Sequence, residues 1–241
     1  MEWQVYPAAQ GGTWVAVMPA YNEQAALAEL VAEWHSVVTE RGGELVLIND
    51  GSRDQTLATA LALQANYPGL TVIDKSNSGH GDTCRRAYQW AAEQGKEWVF
   101  QTDSDRQTLP QEFALIWDQR GQHDFIFGRR KARGDGWMRK VISSVLRCVI
   151  AVIFQEWVPD ANVPFRLMKT EKLAQVLPLI SPQMFLGNAF LTIVIQKKFK
   201  IHWVPISFVN RQTGVPSVAL GRFFKVGWRV TREFWQLRCK I

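Results

Sequence analysis

Four short apolar runs, separated by stretches of helical spacing, restrict this chain more than any other feature. Residues 13–18 are apolar until Pro19, and residues 44–48 run into Asn49-Asp50-Gly51-Ser52. Residues 70–73 precede the turn Asn77-Ser78-Gly79-His80-Gly81, and residues 97–102 lead into Asp103-Ser104-Asp105. Apolar runs without alternation mark strands covered on both faces, as in parallel sheets. Asn22 offers a helix cap before Glu23, Leu27, Leu30, Val31 and Trp34, and Asp54 caps a second helix to about Ala65. A third helix is expected from about Asp82 to Gln94. The order predicts an α/β fold, a mostly parallel central sheet flanked by helices on both faces. At 241 residues the chain holds one large domain of this kind or two small ones.

Ligands of such sheets collect at the C-terminal ends of the strands. Three polar segments fall there: residues 19–23, 49–52 and 103–105. Read as the end of a strand, Asp103 and Asp105 point the same way and repel unless a cation lies between them. Hard divalent ions take few protein oxygens and complete their shell from phosphates. Singly, each segment is also good turn or capping chemistry. Jointly they suit a nucleotide pocket, with Tyr21 facing a base, Glu23 and Asp50 accepting from base or ribose, and the carboxylate pair holding a metal. Neither a G-x-G-x-x-G fingerprint nor a phosphate loop is present, which argues against dehydrogenase and P-loop chemistry.

The formal charge of +6 favours anionic partners. No RRM, KH or zinc-finger signature accompanies it, so nucleic acid is not the expected partner. Cys84, Cys148 and Cys239 are scattered and read as free thiols of a reducing compartment. Neither a signal peptide nor a membrane-spanning run is evident, since the apolar stretch 141–154 is short and carries Arg147. The expected location is cytoplasmic, with peripheral contact on the inner face of a membrane as the variant.

The ordered motifs Met18-Pro19-Ala20-Tyr21-Asn22-Glu23, Ile48-Asn49-Asp50-Gly51-Ser52-Arg53-Asp54, Asn77-Ser78-Gly79-His80-Gly81 and Asp103-Ser104-Asp105-Arg106-Gln107 resemble family 2 glycosyltransferases of the Rossmann-like GT-A fold. Within these the chain is similar to the polyprenyl-phosphate sugar synthases, the group that includes dolichyl-phosphate mannose synthase. The resemblance implies that Pro19, Tyr21, Glu23, Asp50 and Gly79 bind the nucleotide sugar. Asp103 and Ser104 would lie along its ribose and diphosphate, with Asp103, Asp105 and Gln107 around Mg²⁺ or Mn²⁺. Arg106 stands where the family usually has an apolar residue.

Beyond residue 124 the pattern is less regular. Residues 124–127 read as a strand leading into Gly128-Arg129-Arg130, and Arg133, Asp135 and Arg139 continue a family-like spacing. Residues 160–166 resemble the family segment Asp, three residues, Gly-Phe-Arg, with Pro164 replacing the glycine. Residues 204–208 read as a late strand, and residues 211–217 resemble Arg-x-x-Gly-x-Ser with Ser217 displaced by one. Arg130, Arg166 and Arg211 are candidates for holding phosphate oxygens, with Ser217 beside them, because a guanidinium matches phosphate bidentately. Singly, each is also readable as a surface charge or salt-bridge partner.

The resemblance implies inverting transfer of one sugar from a nucleotide-diphosphate donor to an acceptor, with polyprenyl phosphate the leading choice. A lipid phosphate is already anionic and needs no strong base. For a hydroxyl of a glycan or other non-lipid acceptor, Asp160 is the base expected. Asp160 alternatively orients Arg166 or the acceptor. A non-catalytic nucleotide-binding protein is the remaining reading. Residues 1–216 are expected to form the catalytic domain and 217–241 an amphipathic helix mixing basic residues with Phe224, Trp228 and Trp235. Either that helix meets a membrane interface or membrane partner, or it packs on the core with a solvated basic side.

Overall fold

The computed structural model describes residues 3–131, 137–182, 184, 186–209, 232–235 and 237–238. Arg133, Asp135, Arg211 and Ser217 lie outside the described residues, as do the side chains of Arg139, Val141 and Ile142.

The strands are β1 (Gln4–Tyr6), β2 (Trp14–Ala20), β3 (Gly43–Asp50), β4 (Leu70–Lys75), β5 (Trp98–Thr102), β6 (Phe125–Arg130), β7 (Phe165–Lys169) and β8 (His202–Ile206). They form one sheet in the order β1-β4-β3-β2-β5-β7-β6-β8. Between and beyond them run α1 (Leu27–Thr39), α2 (Thr56–Gln64), α3 (His80–Glu93), α4 (Phe113–Trp117), α5 (Trp137–Phe154), α6 (Thr170–Ala174) and α7 (Gly187–Lys198). β2, β3, β4 and β5 pair in parallel, and β1 and β7 run against their neighbours. Every residue of β2 and β3 is buried, as their unbroken apolar runs require. Trp14, Trp34, Phe100, Phe113 and Phe165 pack with ring centroids 4.8–6.3 Å apart between the sheet and α1.

The first half follows the sequence expectation, with shifted helix starts. Asn22 does not cap α1; it adopts φ 55° and its Oδ1 accepts the Arg53 amide at 2.8 Å, binding one strand-end loop to the next. α3 begins at His80, because Gly79 takes φ 87° immediately before it. β5 stops at Thr102, so Asp103 and Asp105 lie in a turn and strand alternation does not orient them.

In the second half β7 enters the sheet antiparallel between β5 and β6, opposing Gln101 with Arg166 and Thr102 with Phe165. This strand is not apparent from sequence, where residues 160–166 stand out for Asp160 and Arg166. β1 and the wholly buried start of α7 are likewise not apparent from sequence.

Candidate active site

The parallel strands bring Ala20, Asp50, Lys75 and Thr102 to one edge of the sheet. The antiparallel pairings of β7 with β5 and β6 bring Arg130 and the segment before Phe165 to that edge as well. Cross-links between loops fix the edge. Ser104 Oγ donates to the Pro19 carbonyl at 2.9 Å, joining the tips of β5 and β2. Ser52 Oγ accepts the Asn22 amide at 3.0 Å, and Thr56 Oγ1 accepts the Glu23 amide at 2.9 Å. Tyr21 is 43% exposed at this edge, open to a flat ligand, whereas Glu23 is buried.

Asp50 is buried and serves the neighbouring loop. Its carboxylate pairs with Lys75 and accepts the amides of Ser78 at 2.9 Å and Gly79 at 3.0 Å. It therefore shapes the 77–81 turn, and Gly79 is held by its own amide. Close approach is needed behind this turn, where a Cβ on Gly51 would lie 2.6 Å from the Asn77 nitrogen.

Asp103 sits at the end of a buried relay. Tyr88 OH donates to Gln101 Oε1 at 3.1 Å, and Gln101 Nε2 donates to Asp103 Oδ1 at 2.9 Å. His80 Nε2 lies 3.5 Å from the same oxygen and 3.6 Å from Cys84 Sγ. The Cys84 sulfur first, and the Asp103 carboxylate after it, push the His80 imidazole up and favour its protonated form. Asp105 Oδ1 accepts the Gln107 amide at 3.2 Å. Gln107 in turn pairs with Val209, its carbonyl accepting the Val209 amide at 2.9 Å and its Nε2 donating to the Val209 carbonyl at 3.0 Å. Arg106, at φ 58°, turns away from the site and pairs with Glu29 and Glu33 of α1. The cation without a sequence rationale thus anchors the carboxylate turn to a helix.

Among the described residues no group of three His, Cys, Asp or Glu side chains could hold a metal by itself. The donors that the turn offers are two carboxylates and an amide oxygen, all hard ligands. Such a set fits Mg²⁺ or Mn²⁺ completed by substrate phosphates and water, and does not fit zinc.

A cavity of about 570 Å³ opens beside His80, lined by residues 78–81, Asn162, Pro182, Met184 and 186–188. α3 and α7 begin at its wall, and neither start carries a side-chain cap. Gly81 and Gly187 let these starts touch, since a Cβ on Gly81 would lie 3.3 Å from the Gly187 nitrogen. Uncapped helix starts present amide N–H groups and positive dipole ends, so two at one cavity favour an anion. His80, Asn162 and Asn188 were not singled out from sequence. Of these only His80 had a signal, being inside the glycine turn already noted.

Arg130 and Asp160 form a bidentate ion pair, with Nε–Oδ2 and Nη2–Oδ1 both 2.6 Å, and side-chain exposures of 11% and 8%. Phe208 lies against the guanidinium, 4.8 Å from Arg130 Cζ to the ring centroid. Arg166 is wholly buried over Phe127, and donates to the carbonyls of Val163, Asn188 and Ala161 at 2.6, 2.9 and 3.1 Å. Burial pulls its pKa down. In this position it joins the 160–164 loop to α7, and a phosphate would have to displace those carbonyls.

Residues 15–190 match the family described as Glycosyl transferase family 2. The chain is 26% identical over 179 residues to an uncharacterised glycosyltransferase of Synechocystis, covering 72% of this chain and 55% of that protein. It is 25% identical over 213 residues to an undecaprenyl-phosphate 4-deoxy-4-formamido-L-arabinose transferase of Edwardsiella ictaluri, covering 85% of this chain and 62% of the relative. The chain thus spans little more than half the length of these curated relatives. Its fold resembles glucosyl-3-phosphoglycerate synthase of Mycobacterium tuberculosis, solved with Mn²⁺, UDP and glucosyl-3-phosphoglycerate, at TM-score 0.66 and 18% identity over 96% of this chain and 81% of that one. It also resembles mannosyl-3-phosphoglycerate synthase of Rubrobacter xylanophilus, at TM-score 0.64 and 15% identity over 95% and 75%. These structural likenesses establish a GT-A fold.

Proposed function

This chain belongs to glycosyl transferase family 2, and on that premise we propose that it transfers one sugar, with inversion, from a nucleotide-diphosphate sugar to a polyprenyl phosphate. The observation that carries this reading is the anion-favouring cavity of about 570 Å³ reached from the same His80 that approaches Asp103. That volume lies within the range of small-molecule sites.

Tyr21 would face the base, and Asp50 would act through the 77–81 turn that it shapes. Asp103, Asp105 and Gln107 would hold Mg²⁺ or Mn²⁺, which when bound supplies positive charge to the leaving diphosphate. His80 and the two helix starts place N–H donors and positive charge around the reacting phosphates, where charge develops in the transition state. Arg130 would steer the acceptor's phosphate, held by Asp160 in a single orientation. The second half of this ion pair bears on the acceptor. Both Asp160 oxygens accept from Arg130, so Asp160 is better placed to orient than to remove a proton. An acceptor that is already anionic needs no such base, which favours a phosphate over a neutral hydroxyl.

Of the segment 217–241, the described residues 232–235 and 237–238 are helical, and Phe234 and Leu237 are buried. We assign the catalytic site to residues 1–216 and a supporting role to this helix. No described helix is long and apolar enough to cross a membrane.

The test is a screen of UDP-, GDP- and other nucleotide sugars with Mg²⁺ or Mn²⁺, using a short-chain polyprenyl phosphate, 3-phosphoglycerate and a neutral glycan as separate acceptors. A glycosyl phospholipid formed only with metal is expected. Equal or faster transfer to the glycan, abolished by Asp160→Asn, would replace this reading with hydroxyl transfer.

A further inference from the structure

Gln101 places an uncharged polar side chain in the interior of the sheet. It is wholly buried in β5, opposite Val17 of β2 and Arg166 of β7, and strand alternation puts it on the same face as Val99. A buried amide is costly unless its polar atoms are paired. Here both are: Oε1 accepts from Tyr88 OH at 3.1 Å, and Nε2 donates to Asp103 Oδ1 at 2.9 Å. Tyr88, on α3, is buried as well. Asn188 Oδ1, at 3.4 Å, is the more distant acceptor for its single hydroxyl proton.

The two ends of the relay fix its direction. An ionised carboxylate only accepts, so Asp103 draws the NH₂ of the amide toward itself and turns Oε1 to the phenol. Without the Tyr88 proton, Oε1 would lose its partner in the core and the amide one of its two supports. Unlike the two side chains behind it, Asp103 reaches the surface, at 25% side-chain exposure. Its Oδ1 faces Gln101 Nε2 and, at 3.5 Å, His80 Nε2. Among the described residues no hydrogen bond or ion pair engages Oδ2. One oxygen is thus fixed from inside the protein while the other is left for a ligand at the strand tip. Two buried groups that merely satisfied each other would close their bonds within the core, whereas this chain of bonds ends on a carboxylate of the site.

We propose that Tyr88 and Gln101 are positioning residues for the metal-bound diphosphate. They hold Asp103 through Oδ1, so that Oδ2 is presented to Mg²⁺ or Mn²⁺ in one orientation. The assignment rests on the reading of the 103–107 turn as a metal site, and both side chains act through Asp103 because they are too deeply buried to meet a substrate. Hydrogen bonds behind a metal-ligating carboxylate commonly set the affinity for the ion by about tenfold to a hundredfold.

Titration calorimetry of the full chain with UDP and with GDP, each in the presence and absence of Mn²⁺, reads the site without turnover. In the wild type, Mn²⁺ should tighten the binding of at least one nucleotide. Gln101→Met, which keeps the length of the side chain, should weaken that Mn²⁺-dependent binding about tenfold or more. Tyr88→Phe should weaken it about threefold. Metal-free nucleotide binding should be the same in all three proteins. The double variant should bind no more weakly than Gln101→Met, since Tyr88 acts through the amide. The control Thr71→Val removes a buried hydroxyl that donates to Glu44 Oε1 near the other end of the sheet; it should lower Tm and leave metal-dependent binding unchanged. In a transfer assay Gln101→Met should raise the Mn²⁺ concentration for half-maximal rate, with kcat recovered at saturating Mn²⁺. Unaltered Mn²⁺-dependent binding in Tyr88→Phe, effects that multiply in the double variant, or an equal loss in Thr71→Val would each overturn the proposal, whether or not Gln101→Met folds. A wild-type protein that binds neither nucleotide more tightly with Mn²⁺ would overturn both this assignment and the donor reading on which it rests. Mn²⁺-dependent binding that is lost in the relay variants, with no sugar transferred to any acceptor, would overturn the transfer reading and leave this one standing.

Discussion

Replacing Asp160 by Asn removes the counter-charge of Arg130 while keeping the side chain's shape. Only 11% of the Arg130 side chain and 8% of the Asp160 side chain reach solvent, so water replaces little of the lost interaction. Two charge-assisted hydrogen bonds of 2.6 Å connect them. Asparagine keeps one acceptor oxygen but sets an NH₂ group against a guanidinium N–H. Breaking a fully buried pair costs about 3–5 kcal/mol. With one hydrogen bond retained, the expected loss is about 2–3 kcal/mol. For 241 residues the unfolding entropy is about 0.5 kcal/mol per kelvin, so Tm should fall by about 4–6 °C. Circular dichroism on heating measures this, and an Arg130→Gln, Asp160→Asn double-mutant cycle isolates the pair, with an expected coupling of about 1–3 kcal/mol. In the transfer assay, Asp160→Asn should raise KM for the phosphate acceptor more than it lowers kcat. A Tm shift below about 1 °C together with zero coupling would refute the ion pair as a structural element.

Asp105→Asn should abolish metal-dependent turnover with Tm almost unchanged, because Asn can still accept the Gln107 amide; retained turnover would remove Asp105 from the metal site. Arg106→Ala should cost only about 1 kcal/mol, since Glu29 is 68% exposed. It should nevertheless raise the Mn²⁺ concentration for half-maximal activity several-fold by releasing the turn from α1, and an unchanged metal requirement would refute that positioning role. Gly51→Ala should destabilise by more than about 2 kcal/mol, because φ is +61° and the new Cβ would meet the Asn77 backbone. Gly42→Ala, at φ +68° in open space, should cost only about 1 kcal/mol, so equal losses in denaturant titrations would contradict the crowding argument.

Most of the first half was legible because its signals are local. An apolar run between polar stops describes a covered strand whatever its neighbours are, and four in succession with helices between leave few topologies. The polar ends of those strands pointed to one edge, and the structure brings Pro19, Tyr21, Asp50, Asp103 and Ser104 to it. Partnership was less accessible. Arg130 and Asp160 are 30 residues apart, and nothing local in either segment indicates that they neutralise each other. Arg166 reads from sequence as a phosphate ligand, yet antiparallel insertion of β7 buries it among carbonyls.

By itself the sequence determined the α/β class, the succession of β2 to β5 along the chain, and the chemistry available at the strand tips. Those properties follow from periodicity and residue type, which act over a few positions. Only the tertiary structure decided which charges are consumed inside the protein and which face a ligand. Asp50 is directed to Lys75 and loop amides, Arg106 to α1, and Asp160 to Arg130. Pairing depends on distances across the sheet, and burial sets how strongly each pair holds, so neither is written in local sequence.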